Sequence, residues 1–571
     1  MSNNVVKAEE IPVKVHISEI TFNDGTQIPL NKNDLVIFVG PNNVGKSQAL
    51  NDIYSLCNLS TNTVVVKDIK IHKSKGSLLP LIKKASFIEE IGDQIYWYLN
   101  GAKYGFRKFD EDNIFFESND YRSYRDLFLC HITTEKRLDI CTPANLINRN
   151  QPWINPIHYA SFGSDFNKWL SDNFSKAFGE AVIPNILHGK SIPLCIGEQV
   201  NLKESFKNEQ ERLMKYASIL EKYKQAHLQG DGIKSFLGIL LYLMLDYYQT
   251  YLIDEPEAFL HPPHARIIGQ IIGETLNDNQ QAFISTHSEN FIKGLLDKCP
   301  ERLKIIRITR KGKNNNISIL DNSGIQAAFS NPLIKYSNIM SGIFHKNVVL
   351  CESDSDCKFY SFIENKIKQN NNMYSETLYI HCGGKHRVGL IAKTLISLGI
   401  NVKLILDLDF LDDINIVKSV TSVCGIDWDN LESDFNVVDK QVKSNSNNIS
   451  RDSLQKEINS ILSKKENNAP VSNSELEKIK KLFVKPSRWQ QIKECGVSAF
   501  PAGDAKKAFN RINDKLRSGH IYLVPVGELE RFVPEIGGHG PEWVNKVIEN
   551  HPEILDSVYK NAIDFIKGMD L

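Results

Sequence analysis

The sequence predicts an α/β chain built from two successive parallel sheets, and three observations carry that prediction. An apolar run, Leu35 to Val39, breaks abruptly into Gly40-Pro41-Asn42-Asn43-Val44-Gly45-Lys46-Ser47 just before a helix start. A second buried-strand pattern, Tyr251 to Ile253, ends in Asp254-Glu255-Pro256-Glu257. From Asn347 onward, strand, turn and helix patterns alternate. Such alternation implies strands that pair in parallel and gather ligands at their carboxyl ends.

The 571 residues suffice for about three or four domains, each with its own core. Basic and acidic residues each number 68, so the overall charge predicts no general attraction to nucleic acid and leaves room only for a local basic channel. Ten cysteines without a CxxC pair argue against zinc ribbons and a disulfide framework, and fit reduced thiols in a cytoplasmic setting. The polar start MSNNVVKAEE does not read as a signal peptide. Phe236 to Ile253 is apolar over about the length of a bilayer span. It carries Asp246 and runs straight into LIDEPE, so it reads as a buried helix followed by a buried strand, with no membrane role.

In chain order, residues 13–30 alternate as strands do, with a turn at Asn23-Asp24-Gly25, and are expected to form an antiparallel edge before the glycine-rich loop. That loop, GxxxxGKS between a strand and a helix, has the form of a P-loop: backbone N–H groups turn around a polyphosphate. Lys46 would reach the terminal phosphates and Ser47 would ligate Mg²⁺. Residues 62–200 mix short strand-like runs with aromatic loops and give no clear parse. Within them HITTEKRLDI reads as a strand followed by basic residues, where Arg137 is either a phosphate contact or a surface arginine. Gly230-Asp231-Gly232 opens a helix with Lys234 and Ser235 in its first turn, and a helix start of this kind suits a γ-phosphate. At DEPE the strand ends in two carboxylates, suited to holding hydrated Mg²⁺ through Asp254 and polarising water through Glu255. QAFIST at 281–286 then ends at His287, an imidazole placed beside the terminal phosphate.

Taken together, the P-loop, glycine-led helix, DEPE and STHS, with the continuation AFLHPPHAR, resemble the ABC-type ATPase heads of the SMC/RecF-like class. The resemblance implies that Gly40, Asn42, Asn43, Gly45, Lys46 and Ser47 bind ATP, that Ser47 and Asp254 hold its Mg²⁺, that Glu255 is the hydrolytic base and that His287 is a switch residue. It also implies that Gly230, Gly232 and Ser235 cap the ATP of a second subunit, although the segment here is QGDGIKS and not LSGGQ. Only a compact lobe fits between Lys46 and Gly230.

The second unit begins with NVVLCESDSDCKFYSFI, a strand ending at Glu352 with Asp356 four residues later. A second strand–turn–helix follows, with Gly383-Gly384 at its turn. VKLILDLDF then reads as a third strand ending in Asp407 and Asp409, whose i, i+2 spacing puts both carboxylates on one face. Glu352, Asp407 and Asp409 are therefore expected to converge on hard divalent cations. This constellation resembles a Toprim domain, in which a glutamate and a DxD pair organise Mg²⁺, or Mn²⁺ or Ca²⁺, for phosphodiester chemistry; the resemblance adds Asp356 to the acidic set. Residues from about 432 to 497 read as an inserted polar helical segment, either mobile or facing a partner. The sheet resumes at HIYLVPVGELERFVP, where Glu528 and Glu530 are candidates for a second metal or a surface acidic pair, and Gly537-Gly538-His539-Gly540 forms a loop.

An ATPase head followed by a Toprim domain is the layout of the OLD (overcoming lysogenization defect) nuclease family, which this chain resembles over most of its length. The expected layout is a head over residues 1–340, with a lobe at about 62–225, and a Toprim domain over 341–571. The resemblance implies an ATP-regulated, metal-dependent nuclease acting on DNA or RNA, paired through its heads as a homodimer or larger assembly. It further implies a bacterial anti-phage setting, with a retron reverse transcriptase among the partners such proteins have. It implies, too, a lysine that stabilises charge at the cleaved phosphate: Lys546 first, with Lys506 and Lys385 as alternatives. Two other readings share these motifs, an ATP-driven DNA clamp without cleavage and topoisomerase or primase chemistry.

Overall fold

In the computed structural model, the described residues are 11–58, 62–99, 102–107, 115, 124–148, 153, 155–202, 206–312, 314–320, 338–444, 451–462, 471–483, 488–500, 502–552 and 557–571. The chain folds as two compact units, residues 1–331 and 332–571.

The first unit is organised on a six-stranded sheet in the order Asn314–Leu320, Leu303–Lys311, Leu35–Val39, Gln281–Ser285, Thr250–Asp254, Leu129–Ile132. Its strands run parallel except Asn314–Leu320, which turns back on its neighbour. Every residue of Leu35–Val39 and of Gln281–Ser285 is buried. This is why these strands read as continuous apolar runs and not as alternating ones: helices cover both faces of a parallel sheet. The glycine-led helix Asp231–Leu243 buries most of its length and leads to the strand Thr250–Asp254. No helix among the described residues is long and apolar enough to cross a membrane.

Residues 13–30 do form strands, Val15–Phe22 and Gln27–Pro29, turned at Asp24, whose carboxylate accepts from the Thr26 N–H. They do not edge the main sheet. They pair with Val66–Lys73 in a separate three-stranded antiparallel sheet. The lobe that resisted parsing contains an antiparallel meander, Phe87–Ile91, Gln94–Leu99 and Ala102–Arg107, and the helices Pro156–Phe162 and Ser164–Phe178. Its strand Leu129–Ile132 belongs to the main sheet, so sequence-distant pieces complete the core of the first unit.

The second unit has a four-stranded parallel sheet in the order Thr377–His381, Asn347–Cys351, Asn401–Leu406, Ile521–Leu523. The helices Asp354–Asn370, Gly540–Asn550 and Lys560–Lys567 bring together an aromatic core of Phe359, Tyr360, Phe532, Trp543, Tyr559 and Phe565. The insertion is helical, with Asp429–Ser444, Arg451–Leu462, Asn473–Phe483 and Arg488–Cys495. Two local expectations are corrected. The strand Asn401–Leu406 stops before Asp407, which opens a 3-10 turn, Leu408–Asp412, so strand alternation does not orient Asp407 and Asp409. Likewise Glu528 and Glu530 lie at and inside another 3-10 turn, Leu529–Phe532, several residues beyond the strand end at Leu523.

Candidate nucleotide site and candidate metal centre

At the end of the central strand, the loop from Gly40 turns into the helix Lys46–Leu56. Gly45 has φ 102, a conformation that side chains disfavour, and a Cβ there would lie 2.7 Å from Val65 Cγ2. Asn42 and Asn43 are exposed at the loop's rim. The Lys46 ammonium is buried and donates to the carbonyls of Gly40 at 3.0 Å and Pro41 at 2.7 Å. Burial lowers its pKa to about 8, against the pull of Glu255, Glu257 and Asp254. Ser47 follows it in the first turn of the helix.

The carboxylates come from the neighbouring strands. Asp254 ends its strand and accepts a hydrogen bond from the Ser285 hydroxyl on the adjacent strand. Glu255 takes φ 45, and its N–H donates to the Ser285 carbonyl at 3.0 Å. Its carboxylate lies 3.5 Å from His287 Nε2. His287 is held through its own N–H, which donates to Glu257 at 2.6 Å. Burial and then the Lys46 charge lower the His287 pKa to about 4, so the imidazole is neutral at pH 7. Lys46, Asp254, Glu255 and His287 thus share one site.

Two expectations fail here. Ser235 is fully buried, donates to the Ala258 carbonyl at 3.1 Å and accepts from Arg137 at 2.8 Å. Its hydroxyl is committed inward and does not fit a role in capping a second subunit's nucleotide. Gly230 is exposed and opens the helix with its neighbour Gly232 half-buried, so the backbone of this turn remains presented. Arg137 is neither a surface residue nor a phosphate contact. Its guanidinium is fully buried and reaches the carbonyls of Asp254 at 2.5 Å and Glu255 at 2.8 Å as well as Ser235.

In the second unit, Glu352, Asp407 and Asp409 each present an oxygen within 4.8 Å of the others. They lie where the strands Asn347–Cys351 and Asn401–Leu406 end. The Asp407 N–H donates to the Glu352 carboxylate at 3.1 Å. Burial, with Asp409 close by, raises the Glu352 pKa to about 7, and burial beside Glu352 raises that of Asp407. A cavity of about 550 Å³ opens over Glu352 and Asp407, lined also by His381, Gly383, Gly384, Glu528, Glu530 and His539. Asp356 lines it too, but its carboxylate is engaged in a capping box: it accepts from the Ser353 N–H at 2.8 Å while Ser353 Oγ caps the helix. Ser353, where the Toprim pattern has glycine, is therefore a helix cap. Glu528, Glu530 and His539 form a second three-donor group within the same distance limit. Glu530 also accepts from the Gly540 N–H at 2.9 Å, which ties the glycine-rich loop to this wall.

The lysines are redistributed. Lys546 and Lys506 are exposed on their helices and do not line the cavity. Lys385 donates to the Asp409 carbonyl at 3.0 Å and carboxylate at 3.2 Å. Lys493, unremarked in the sequence, lies 2.9 Å from Asp407 and 3.7 Å from Asp409. It belongs to the insertion, and only its charge within a polar stretch marked it, a signal shared with many surface lysines.

Comparison with known proteins separates the two units. The AAA ATPase domain family matches residues 191–292, a span holding the glycine-led helix, DEPE and His287. The TOPRIM domain family of overcoming-lysogenization-defect-like proteins matches residues 343–409, from just before the first strand through Asp409. The chain therefore carries an AAA ATPase domain match followed by an OLD-like TOPRIM domain match. A Helicobacter pylori (strain ATCC 700392 / 26695) protein described as an ATP/GTP phosphatase is 34% identical over 98 residues. The match spans 16% of this chain and 26% of that protein. Among solved structures, a Pyrococcus furiosus Smc head domain with an extended coiled coil, bound to the C-terminal domain of ScpA, aligns at 12% identity and TM-score 0.31, covering 55% of this chain and 99% of that one. The Thermotoga maritima SMC head domain aligns at 11% identity and TM-score 0.29, covering 55% and 100%. The TOPRIM match ends before the insertion, so it covers neither Lys493 nor Glu528 and Glu530.

Proposed function

We propose that this chain is an ATP-hydrolysing, divalent-metal-dependent nuclease whose TOPRIM domain cleaves phosphodiester bonds of DNA or RNA. The observation that carries this reading is the convergence of Glu352, Asp407 and Asp409 beside an open cavity at the carboxyl ends of a parallel sheet. The donor set fits the cation it calls for: three carboxylate oxygens suit Mg²⁺, Mn²⁺ or Ca²⁺. Glu528, Glu530 and His539 would hold a second ion, and the imidazole there favours Mn²⁺ over Ca²⁺. Bound at these residues, divalent cations supply charge that stabilises the phosphodiester transition state and lowers the pKa of attacking water. Lys385 would hold Asp409 in place through its carbonyl and one carboxylate oxygen. In the first unit, Lys46 would hold the terminal phosphates of ATP, with Ser47 and Asp254 on its Mg²⁺. Glu255 would take the proton of the attacking water. His287, neutral beside it, would orient the terminal phosphate. The backbone of the turn that runs from exposed Gly230 to half-buried Gly232 would cap the nucleotide of a second copy, so that ATP draws two heads together. By its family layout the setting is bacterial defence against phage.

The test is paired. Asp407→Asn, Asp409→Asn and Glu352→Ala should each lower nuclease activity by orders of magnitude, because metal stabilisation contributes roughly several kcal/mol. ATP turnover on the same preparations should persist. Plasmid, single-stranded DNA and RNA are assayed with Mg²⁺ or Mn²⁺, with and without ATP. Full cleavage by the Asp407/Asp409 double mutant would exclude the nuclease reading and leave an ATP-driven clamp.

A further inference from the structure

Among the described residues lining the carboxylate cavity, Lys493 alone comes from the 432–497 insertion. Its ammonium is 2.9 Å from one oxygen of Asp407 and 3.7 Å from one of Asp409. Those two carboxylates, with Glu352, make the three-donor group.

The backbone that carries Lys493 is firmly placed. Trp489 and Ile492 on the same helix are buried, and the Val497 N–H donates to the Pro525 carbonyl at 3.0 Å. Gly527, at φ 107, faces the helix so closely that a Cβ would stand 2.0 Å from the Lys493 carbonyl oxygen. Only glycine permits that approach. The insertion is thereby docked against the turn that leads directly into Glu528.

A divalent ion bound through Asp407 and Asp409 needs oxygens at about 2.0–2.6 Å. An ammonium already in contact with the same carboxylates is a like charge in the same half-enclosed space, and the two cations exclude one another. We propose that Lys493 is an internal counter-ion of the TOPRIM metal site: the insertion holds its ammonium where a divalent cation binds, and the lysine must be displaced for the ion to enter. It is a positioning residue that keeps Asp407 and Asp409 aligned and sets the cation concentration at which the site fills. This rests on the metal-site reading above, and the insertion becomes the element through which a partner would alter metal loading.

The experiment is Mn²⁺ binding to the full chain without nucleotide, read by electron paramagnetic resonance and calorimetry. Asp407→Asn defines the component that belongs to this site. Lys493→Met should tighten that component by at least about tenfold, the scale on which a neighbouring like charge acts. Lys493→Arg, which keeps the charge, should leave it near the wild-type value. If Lys493→Met lowers the melting temperature, Lys493→Gln reads the same shift with a polar side chain retained. An Asp407-dependent component that Lys493→Met leaves unchanged or weakens overturns the counter-ion proposal and leaves the metal-site reading standing. Absence of any Asp407-dependent component in both wild type and Lys493→Met overturns both.

Discussion

At Glu352, burial and the neighbouring Asp409 carboxylate favour the protonated form and carry the pKa to about 7. A carboxyl whose folded-state pKa is raised contributes stability that is full below its unfolded value of about 4.5 and is lost as pH rises through about 7. With EDTA present, Glu352→Gln should therefore gain on wild type between pH 5 and pH 8, by about 1–3 kcal/mol. Thermal unfolding of the two proteins across that range checks this, and a pH-independent difference would contradict it. Lys46 shows the opposite case. Burial lowers its pKa to about 8, so the fold holds a costly cation where phosphate charge would offset the cost. Lys46→Ala should abolish tight ATP binding in calorimetry. Unchanged affinity would mean that the loop is not a phosphate cradle.

The elements depend on contacts that no local pattern announces. Arg137, from the short helix Thr134–Asp139, joins the end of the strand Thr250–Asp254 to the glycine-led helix through two carbonyls and the Ser235 hydroxyl. Removing it takes a buried donor from the Asp254 carbonyl and from the Ser235 hydroxyl, and leaves the Glu255 carbonyl with the Ala258 N–H alone, immediately behind the two acidic residues of the candidate nucleotide site. Arg137→Ala should destabilise the chain by about 2–4 kcal/mol. Arg137→Lys should recover only part of this, because one ammonium cannot match the planar fork of a guanidinium. Denaturant unfolding measures the loss. ATP turnover should fall more than ATP binding, since Lys46 is untouched while the turn carrying Glu255 loosens. Equal stability of Arg137→Ala and wild type would show that the latch contributes nothing.

For the whole molecule, ATP occupancy should govern association of copies. Glu255→Gln preserves the shape of the site and removes the base, so ATP should bind and persist. Light scattering with size exclusion should then show a doubled mass for Glu255→Gln in ATP and Mg²⁺, and a single mass when Lys46→Ala is added. Turnover by Glu255→Gln at the wild-type rate would withdraw the base assignment. The same chromatography run on Asp407→Asn should show wild-type association, because its change lies in the other unit.

The motifs around Lys46, Asp254, His287, Glu352 and Asp407 were legible because each sits where an apolar strand stops, and a strand end is marked by composition alone. Strand-end chemistry is local: one run of buried residues, one sharp change to polar ones, and a turn that places the side chain. Glu352 and the Asp407–Asp409 pair were expected to meet, and they do, yet a 3-10 turn and not strand alternation presents Asp409. What tertiary structure decided was every contact between segments far apart in the chain. Arg137 and Ser235 are 98 residues apart, and nothing in HITTEKRLDI distinguishes a buried latch from a surface arginine. Lys493 reaches Asp407 only because Gly527 lets the inserted helix approach its backbone. A charged residue's role depends on which charges the fold sets within a few ångströms of it, and that distance is a property of packing that local sequence pattern does not carry.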